Sequence, residues 1–266
     1  MNSWPVFTLI TVTYMAGKVL KPTLRSVAMQ DYPGLIRHLI VDGASTDDTP
    51  ELAERYRLQT EGSDSALPRE VTFTSSKDRG IYDAMNKGLQ QVDEGYVCFL
   101  NAGDELACKS TITELASAAR AATEQGRQWP GVVYGKTDII DADGIRLGER
   151  HLQPRPNLTW RNFREGMLIC HQAFYARADL ARQTAFDLHY RYSADYDWCI
   201  NVMRLAERVG APLAFADTTV ACFLDAGTTK SHHRASLVER LRIMARQYGW
   251  PVAVAQHVKF ALGMKR

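Results

Sequence analysis

Asp78-Arg79-Gly80-Ile81-Tyr82-Asp83-Ala84-Met85-Asn86-Lys87-Gly88 is followed by Tyr96-Val97-Cys98-Phe99-Leu100, which runs into Asn101-Ala102-Gly103-Asp104-Glu105. The first stretch is a polar turn opening a short helix. The second is an apolar strand that breaks off into a polar turn bearing acids. In open α/β sheets, ligands bind at the carboxyl ends of strands. A carboxylate there suits a hard cation bound through oxygen. On these residues alone, the better reading of Asp104 is an ordinary turn residue that caps a following helix.

Upstream, the same alternation repeats. Phe7-Thr8-Leu9-Ile10-Thr11-Val12-Thr13 is rich in β-branched residues and predicts a buried strand. Leu20, Leu24, Val27 and Ala28 then recur at helical spacing. His38-Leu39-Ile40-Val41 predicts a second strand, ending in Asp42-Gly43-Ala44-Ser45-Thr46-Asp47-Asp48-Thr49 before a helix through Leu52 and Tyr56. Val71-Thr72-Phe73-Thr74 predicts a third. Four rounds of strand and helix argue for an α/β fold with a wound, mostly parallel sheet flanked by helices.

Two common wound-sheet functions are excluded by their missing signatures. A dinucleotide-binding turn needs a glycine cluster after the first strand, and Thr13-Tyr14-Met15-Ala16-Gly17-Lys18 has one glycine. No phosphate loop ending in Gly-Lys-Ser/Thr occurs. Acids stand instead at the ends of the second and fourth strands, which points to a nucleotide held by carboxylates and a cation.

Thr11-Val12-Thr13-Tyr14, Val41-Asp42-Gly43-Ala44-Ser45-Thr46-Asp47, the 78–88 stretch and Phe99-Leu100-Asn101-Ala102-Gly103-Asp104 together resemble family 2 glycosyltransferases of the GT-A fold. Within that family they are most similar to the branch that builds bacterial exopolysaccharides such as colanic acid. The resemblance spans roughly residues 5–235. It implies an inverting transfer of a sugar from a UDP- or GDP-linked donor to a hydroxyl of a glycan or lipid-linked saccharide. Thr13 and Tyr14 would line the base and ribose pocket, and Asp42 would accept from the base. Asp78 and the backbone near Gly80 would meet the nucleotide, with Asn101 at the neighbouring turn. Asp104 would bind Mg²⁺ or Mn²⁺, and His232 would complete the metal shell. The turn departs from the family's usual acids, with Asn101 and Gly103 in their place.

In the second half, Leu115 to Ala122 suits a helix and Val132-Val133-Tyr134 a strand. Asp141-Ala142-Asp143-Gly144 between β-rich flanks signals a hairpin. Residues 150–166 are basic and poorly periodic, and read as a lid, an acceptor loop or an ordinary connection. The resemblance sets His171 and Gln172 at the floor of the sugar and acceptor site, with Tyr196 and Trp198 beside it. Cys199, Val202, Met203, Ala206 and Val209 mark a helix that starts near Asp195. By position Asp195 is a first-turn acid favoured by the helix dipole. By resemblance it is the general base, with burial against Tyr196 or Trp198 expected to raise its pKa towards neutrality.

The bulk numbers fit one large domain: 266 residues, 45% hydrophobic and 23% charged. We divide it into a glycosyltransferase domain over 1–233, with a nucleotide-binding half to about 106 and an acceptor half over 107–233, and a basic helical tail over 234–266. Five scattered cysteines lack metal-ligand spacing. With no secretory signal or membrane-spanning run, they suggest a cytoplasmic setting. From residue 230 onward, eight Lys or Arg face one acid, Glu239, out of chain totals of 32 and 30. The tail is therefore basic on an acidic body, and Trp250 and Phe260 beside Lys259 suit peripheral contact with the inner membrane face. No nucleic-acid partner is expected. Two other readings stay open at this level: a nucleotidyltransferase, and a non-enzymatic nucleotide-binding scaffold.

Overall fold

The computed structural model describes residues 4–63, 66–126, 128–225 and 233–262. Four parallel strands form the first half: β1 (Phe7–Thr13), β2 (Ile36–Asp42), β3 (Arg69–Ser75) and β4 (Tyr96–Phe99). Between them run α1 (Leu20–Ala28), α2 (Thr49–Glu61) and α3 (Ile81–Leu89). All seven residues of β1 are buried, as expected of a central strand covered on both faces. The helix α3 lies close over it. A Cβ at Gly88 would stand 2.6 Å from Ile10 Cγ2, so only glycine permits this approach.

The chain continues through β5 (Glu105–Leu106), α4 (Thr111–Gly126), β6 (Val132–Ile140), β7 (Arg146–Glu149), β8 (Phe174–Arg177) and α5 (Ala178–Ala181). It ends with α6 (Ala194–Arg208), β9 (Leu213–Leu224), α7 (His233–Tyr248) and α8 (Trp250–Ala261). One nine-stranded sheet results, in the order β3-β2-β1-β4-β8-β6-β9-β5, with β7 on β6.

The mostly parallel expectation holds for the first four strands. Beyond them the sheet is mixed: β8 runs antiparallel to both β4 and β6, and β5 antiparallel to β9. The 141–144 hairpin joins β6 to β7 as read from the sequence. β5 and β9 were not legible. β5 has two residues, and β9 carries Asp217-Thr218-Thr219 at a register shift against β6, which interrupts its apolar pattern. Asp104 precedes β5, so it caps no helix.

Residues 150–166 form a packed connection that lacks the open character of a lid. Leu158 and Phe163 are buried, Arg150 donates to the Leu152 and Met167 carbonyls, and Trp160 stacks on Tyr248 at 5.6 Å. The segment 233–248 is likewise bound into the body. The Glu239 carboxylate accepts from the amides of Arg191 and Tyr192, both at 2.8 Å, and Ser236 meets Ser193 at 3.1 Å. Gln247 and Arg246 both bind Asp197. Gly249, at a φ of +88°, then turns the chain into α8.

Candidate functional site

Two polar clusters lie along the carboxyl ends of β1, β2 and β4, joined by the first turn of α3. The first cluster is organised by Asp42. Its Oδ1 accepts from Thr13 Oγ1 (2.9 Å) and Ser45 Oγ (2.5 Å), and its Oδ2 from the Ser45 amide (2.9 Å) and Ser75 Oγ (2.7 Å). Burial pushes this carboxyl up, but the Ser45, Ser75 and Thr13 bonds outweigh it and hold the pKa below the usual carboxylate range. Asp42 is fully buried, so it shapes the pocket from beneath. That corrects the expectation that it meets the base directly.

Above Asp42 the 42–49 loop grips the turn after β1. Met15, Ala16 and Gly17 amides donate to Ser45 Oγ, Thr49 Oγ1 and Asp47 Oδ2 at 2.8–3.0 Å. Met15 and Ala44 both take positive φ, 51° and 62°, a conformation that non-glycine residues seldom hold. Tyr14 is exposed at this cluster and Asp78 is half-buried beside it. They meet over Gly43, where a Cβ would stand 2.7 Å from Asp78 Oδ2 and 3.2 Å from Tyr14 Cδ2. Asp78 Oδ1 accepts from the Gly80 amide at 2.8 Å. Gly80 has a φ of +113°, which only glycine adopts at ease.

The rest of the 78–88 stretch is explained by its contacts. Arg79 pairs with Asp83 at 2.9 Å. Asn86 exchanges two hydrogen bonds with the backbone of Phe186, and Lys87 donates to the Lys77 carbonyl. Tyr82, two residues past Gly80, reaches the second cluster, where its hydroxyl donates to Asp195 Oδ1 at 3.0 Å. No sequence signal distinguished Tyr82 from its neighbours, although it stands inside the quoted motif.

The second cluster is a hydrogen-bonded chain. His171 Nδ1 lies 3.1 Å from Asp195 Oδ2. The carboxylate only accepts, so Nδ1 carries the proton and Nε2 accepts from Asn101 Nδ2 at 3.1 Å. Asn101 Oδ1 is buried with no partner among the described residues. The side chains of His171 and Asp195 remain 13% and 15% exposed, so both are partly open to solvent. Asp195 falls on the first turn of α6, which Ser193 precedes without a side-chain cap. Burial pushes its carboxyl up, yet the hydrogen bond from His171, the charge of Arg240 and the Tyr82 hydroxyl bring it below the ordinary value. The expected upward shift is therefore reversed, because burial brings donors with it.

Three expected residues do not face the cleft. Tyr196 and Trp198 are buried and donate to the Phe163 and Thr184 carbonyls. Trp198 also stacks on Phe186 at 5.0 Å, so both are core residues behind Asp195. Gln172 is buried too, donating to Asp104 Oδ2 at 2.7 Å and accepting from Cys170 Sγ.

Asp104 does not suit the expected cation. It is buried, with Oδ2 bound to Gln172 and Oδ1 to the Leu224 amide at 3.0 Å. Asn101 and Gly103 add no charge, and among the described residues no three His, Cys, Asp or Glu converge. His232 lies outside the described residues. These donors do not fit a Mg²⁺ or Mn²⁺ site. Asp104 instead latches the β4 turn to the end of β9 and to Gln172.

Burial raises the Asp104 pKa to about 6. The folded chain thus holds this proton more tightly than the unfolded one, which ionises near pH 4. Stability falls as pH rises through that window. Asp104→Asn removes the dependence, with Gln172 turning its carbonyl to the new amide. Denaturant unfolding at pH 4.5 and 7.5 is expected to show the variant gaining about 2 kcal/mol relative to wild type at the higher pH. Parallel curves would contradict the assignment.

The glycosyl transferase family 2 model matches residues 8–180. A PGL/p-HBAD biosynthesis glycosyltransferase of Mycobacterium bovis is 32% identical over 198 residues, 74% of this chain and 69% of the relative. Staphylococcus aureus TarS 1–349 in complex with UDP-GlcNAc aligns with a TM-score of 0.65 at 18% identity, covering 97% of this chain and 76% of that one. The mannosyltransferase PcManGT of Pyrobaculum calidifontis, with GDP-Man and Mn²⁺, aligns at 0.59 and 17% identity over 100% and 77%. The two structures share the fold. None of the three supports the narrower colanic-acid branch.

Proposed function

Because the chain belongs to the family 2 glycosyltransferases, we propose that it moves a sugar, with inversion, from a nucleoside-diphosphate donor to a hydroxyl of a glycan or lipid-linked saccharide in bacterial surface-polysaccharide synthesis. The observation that carries this reading is the Tyr82–Asp195–His171 chain, two residues along α3 from the Asp78–Gly80 turn. It supports reading Asp195 as a base, at the same end of α3 as the half-buried Asp78 and the exposed ring of Tyr14. Tyr14 would stack on the base, and Asp78 Oδ2 would accept from the base or ribose. Asn101, whose Oδ1 is buried, would hold the His171 ring in place.

In the reaction, Asp195 takes the proton from the acceptor hydroxyl. The acceptor oxygen forms the new bond to the anomeric carbon from the face opposite the diphosphate. The bond from that carbon to the diphosphate oxygen breaks, and the nucleoside diphosphate leaves with the electron pair. Inversion follows from the single displacement. No step is assigned to a cation, since the donors around Asp104 do not support one.

Calorimetric titration of UDP and of GDP into wild type and Asp78→Ala tests the donor half. One nucleotide is expected to bind wild type, and the variant to bind it about tenfold more weakly, the value of one charge-assisted hydrogen bond. Equal affinity in the variant, or no binding of either nucleotide, would contradict the reading.

A further inference from the structure

The helix α8 shows an apolar face to the outside. Trp250, Val254, Val258 and Leu262 recur every four residues and are 61%, 49%, 52% and 67% exposed. That spacing aligns them as one stripe along the helix. Pro251 and Ala255, also exposed, widen it, and Lys259 stands at its border. The opposite face holds the helix to the body through Ala253, which is buried, and His257, whose ring meets the Leu237 carbonyl at 3.3 Å. A surface helix in water normally turns its polar face outward. Here the packed face is small and the outward face is Trp, Pro, Val, Ala, Val and Leu. A contiguous apolar surface of this kind marks a contact site.

Charge decides between occupants. Arg234, Arg242 and Lys259 are exposed on α7 and α8, and Lys265 and Arg266 follow in sequence. The one acid of this region, Glu239, is engaged by the amides of residues 191 and 192. A second copy docked on the stripe would bring Lys259 at its border against its own equivalent, in a segment whose other charges are almost all basic. An anionic bilayer would match both the stripe and its charged border. Twelve residues span about 18 Å, too short to cross a bilayer, so the helix would lie in the interfacial plane with Trp250 at one end.

We propose that the outward face of α8 docks this protein on an anionic phospholipid surface. The link to the site runs through α7, whose Glu239 and Ser236 hold the segment 191–193 just before Asp195. Docking therefore presents the base-bearing end of α6 from a body fixed at the membrane.

The test is flotation of the full chain with vesicles of phosphatidylglycerol and phosphatidylcholine, and with phosphatidylcholine alone. A Val254→Asp/Val258→Asp variant, whose substitutions touch no packed face, is run beside wild type. Unchanged nucleotide titration and thermal unfolding verify its fold. Wild type is expected to float with the anionic vesicles. The variant, and the neutral vesicles, should each lower the bound fraction by about tenfold in partition coefficient. No flotation of wild type would overturn the proposal. So would flotation that the variant leaves unchanged. A wild-type dimer in solution that the variant splits, without vesicle binding, would assign the face to a second copy instead.

Discussion

Asp195→Asn is expected to lower sugar transfer by about a thousandfold, while donor-nucleotide affinity stays within about threefold. The substitution keeps the size of the side chain and removes its basicity. The carboxamide oxygen would still accept from Tyr82, but the amide could not take the proton of the acceptor hydroxyl. Its NH₂ group would also confront the His171 Nδ1 proton that now points at Oδ2. The proposed nucleotide contacts are Tyr14 and Asp78, which meet over Gly43 and are not among the hydrogen-bond partners of Asp195, so binding and chemistry should separate in this variant. Single-turnover transfer and calorimetry on the same preparation measure both. Transfer within tenfold of wild type would remove Asp195 from the role of base.

His171→Ala should lower kcat by about a hundredfold, leave the donor KM nearly unchanged and move the acid limb of the pH profile to higher pH. The cause lies in the balance at Asp195. Burial alone would favour its protonated form, and the hydrogen bond from His171 is the first force opposing that. Without it the folded-state pKa rises, so at a given pH a smaller fraction is ionised and ready to accept a proton. The carboxylate also loses one of the two side chains that aim it, and small misplacements of a reacting group are costly. His171→Gln keeps a donor near Oδ2 and should restore part of the rate. A purely structural histidine would lower stability and rate together and leave the pH limb in place, which a pH–rate series carried from neutral pH down to below pH 4 distinguishes.

Much of the first half was legible because its signals are local. β1 and α1 fall on the residues read as strand and helix, since β-branched runs and helical spacing are decided within a few residues. The second half is governed by pairing between distant segments. β8 joins β4 to β6, and β9 pairs with β6 across a register shift, neither of which a local pattern records. The site followed the same rule. Asp195 and His171 were named from the sequence, and the structure brings them together at 3.1 Å. Asp42, Asp104 and Gln172 were also named, but their side chains turn inward. A carboxylate at a strand end serves equally as a ligand or as an internal acceptor, and only its donors tell which. Tyr196 and Trp198 neighbour Asp195 in sequence, yet both pack into the core on the far side from the cleft. For Tyr196 the reason is that neighbouring residues on a helix point about 100° apart, whereas Trp198, one turn on, is drawn into the core by its stacking on Phe186.

The central claim is sugar transfer from a nucleotide donor with Asp195 as the base. It is tested most directly by following the release of UDP and GDP, and of labelled product, from UDP-linked and GDP-linked sugars. The assay uses a bacterial lipid-oligosaccharide extract as acceptor, with wild type and Asp195→Asn side by side. The expected result is acceptor-dependent consumption of one donor class by wild type and its near loss in the variant. Wild type that binds a nucleotide yet consumes no sugar nucleotide of either class would contradict the account and leave a nucleotide-binding scaffold in its place.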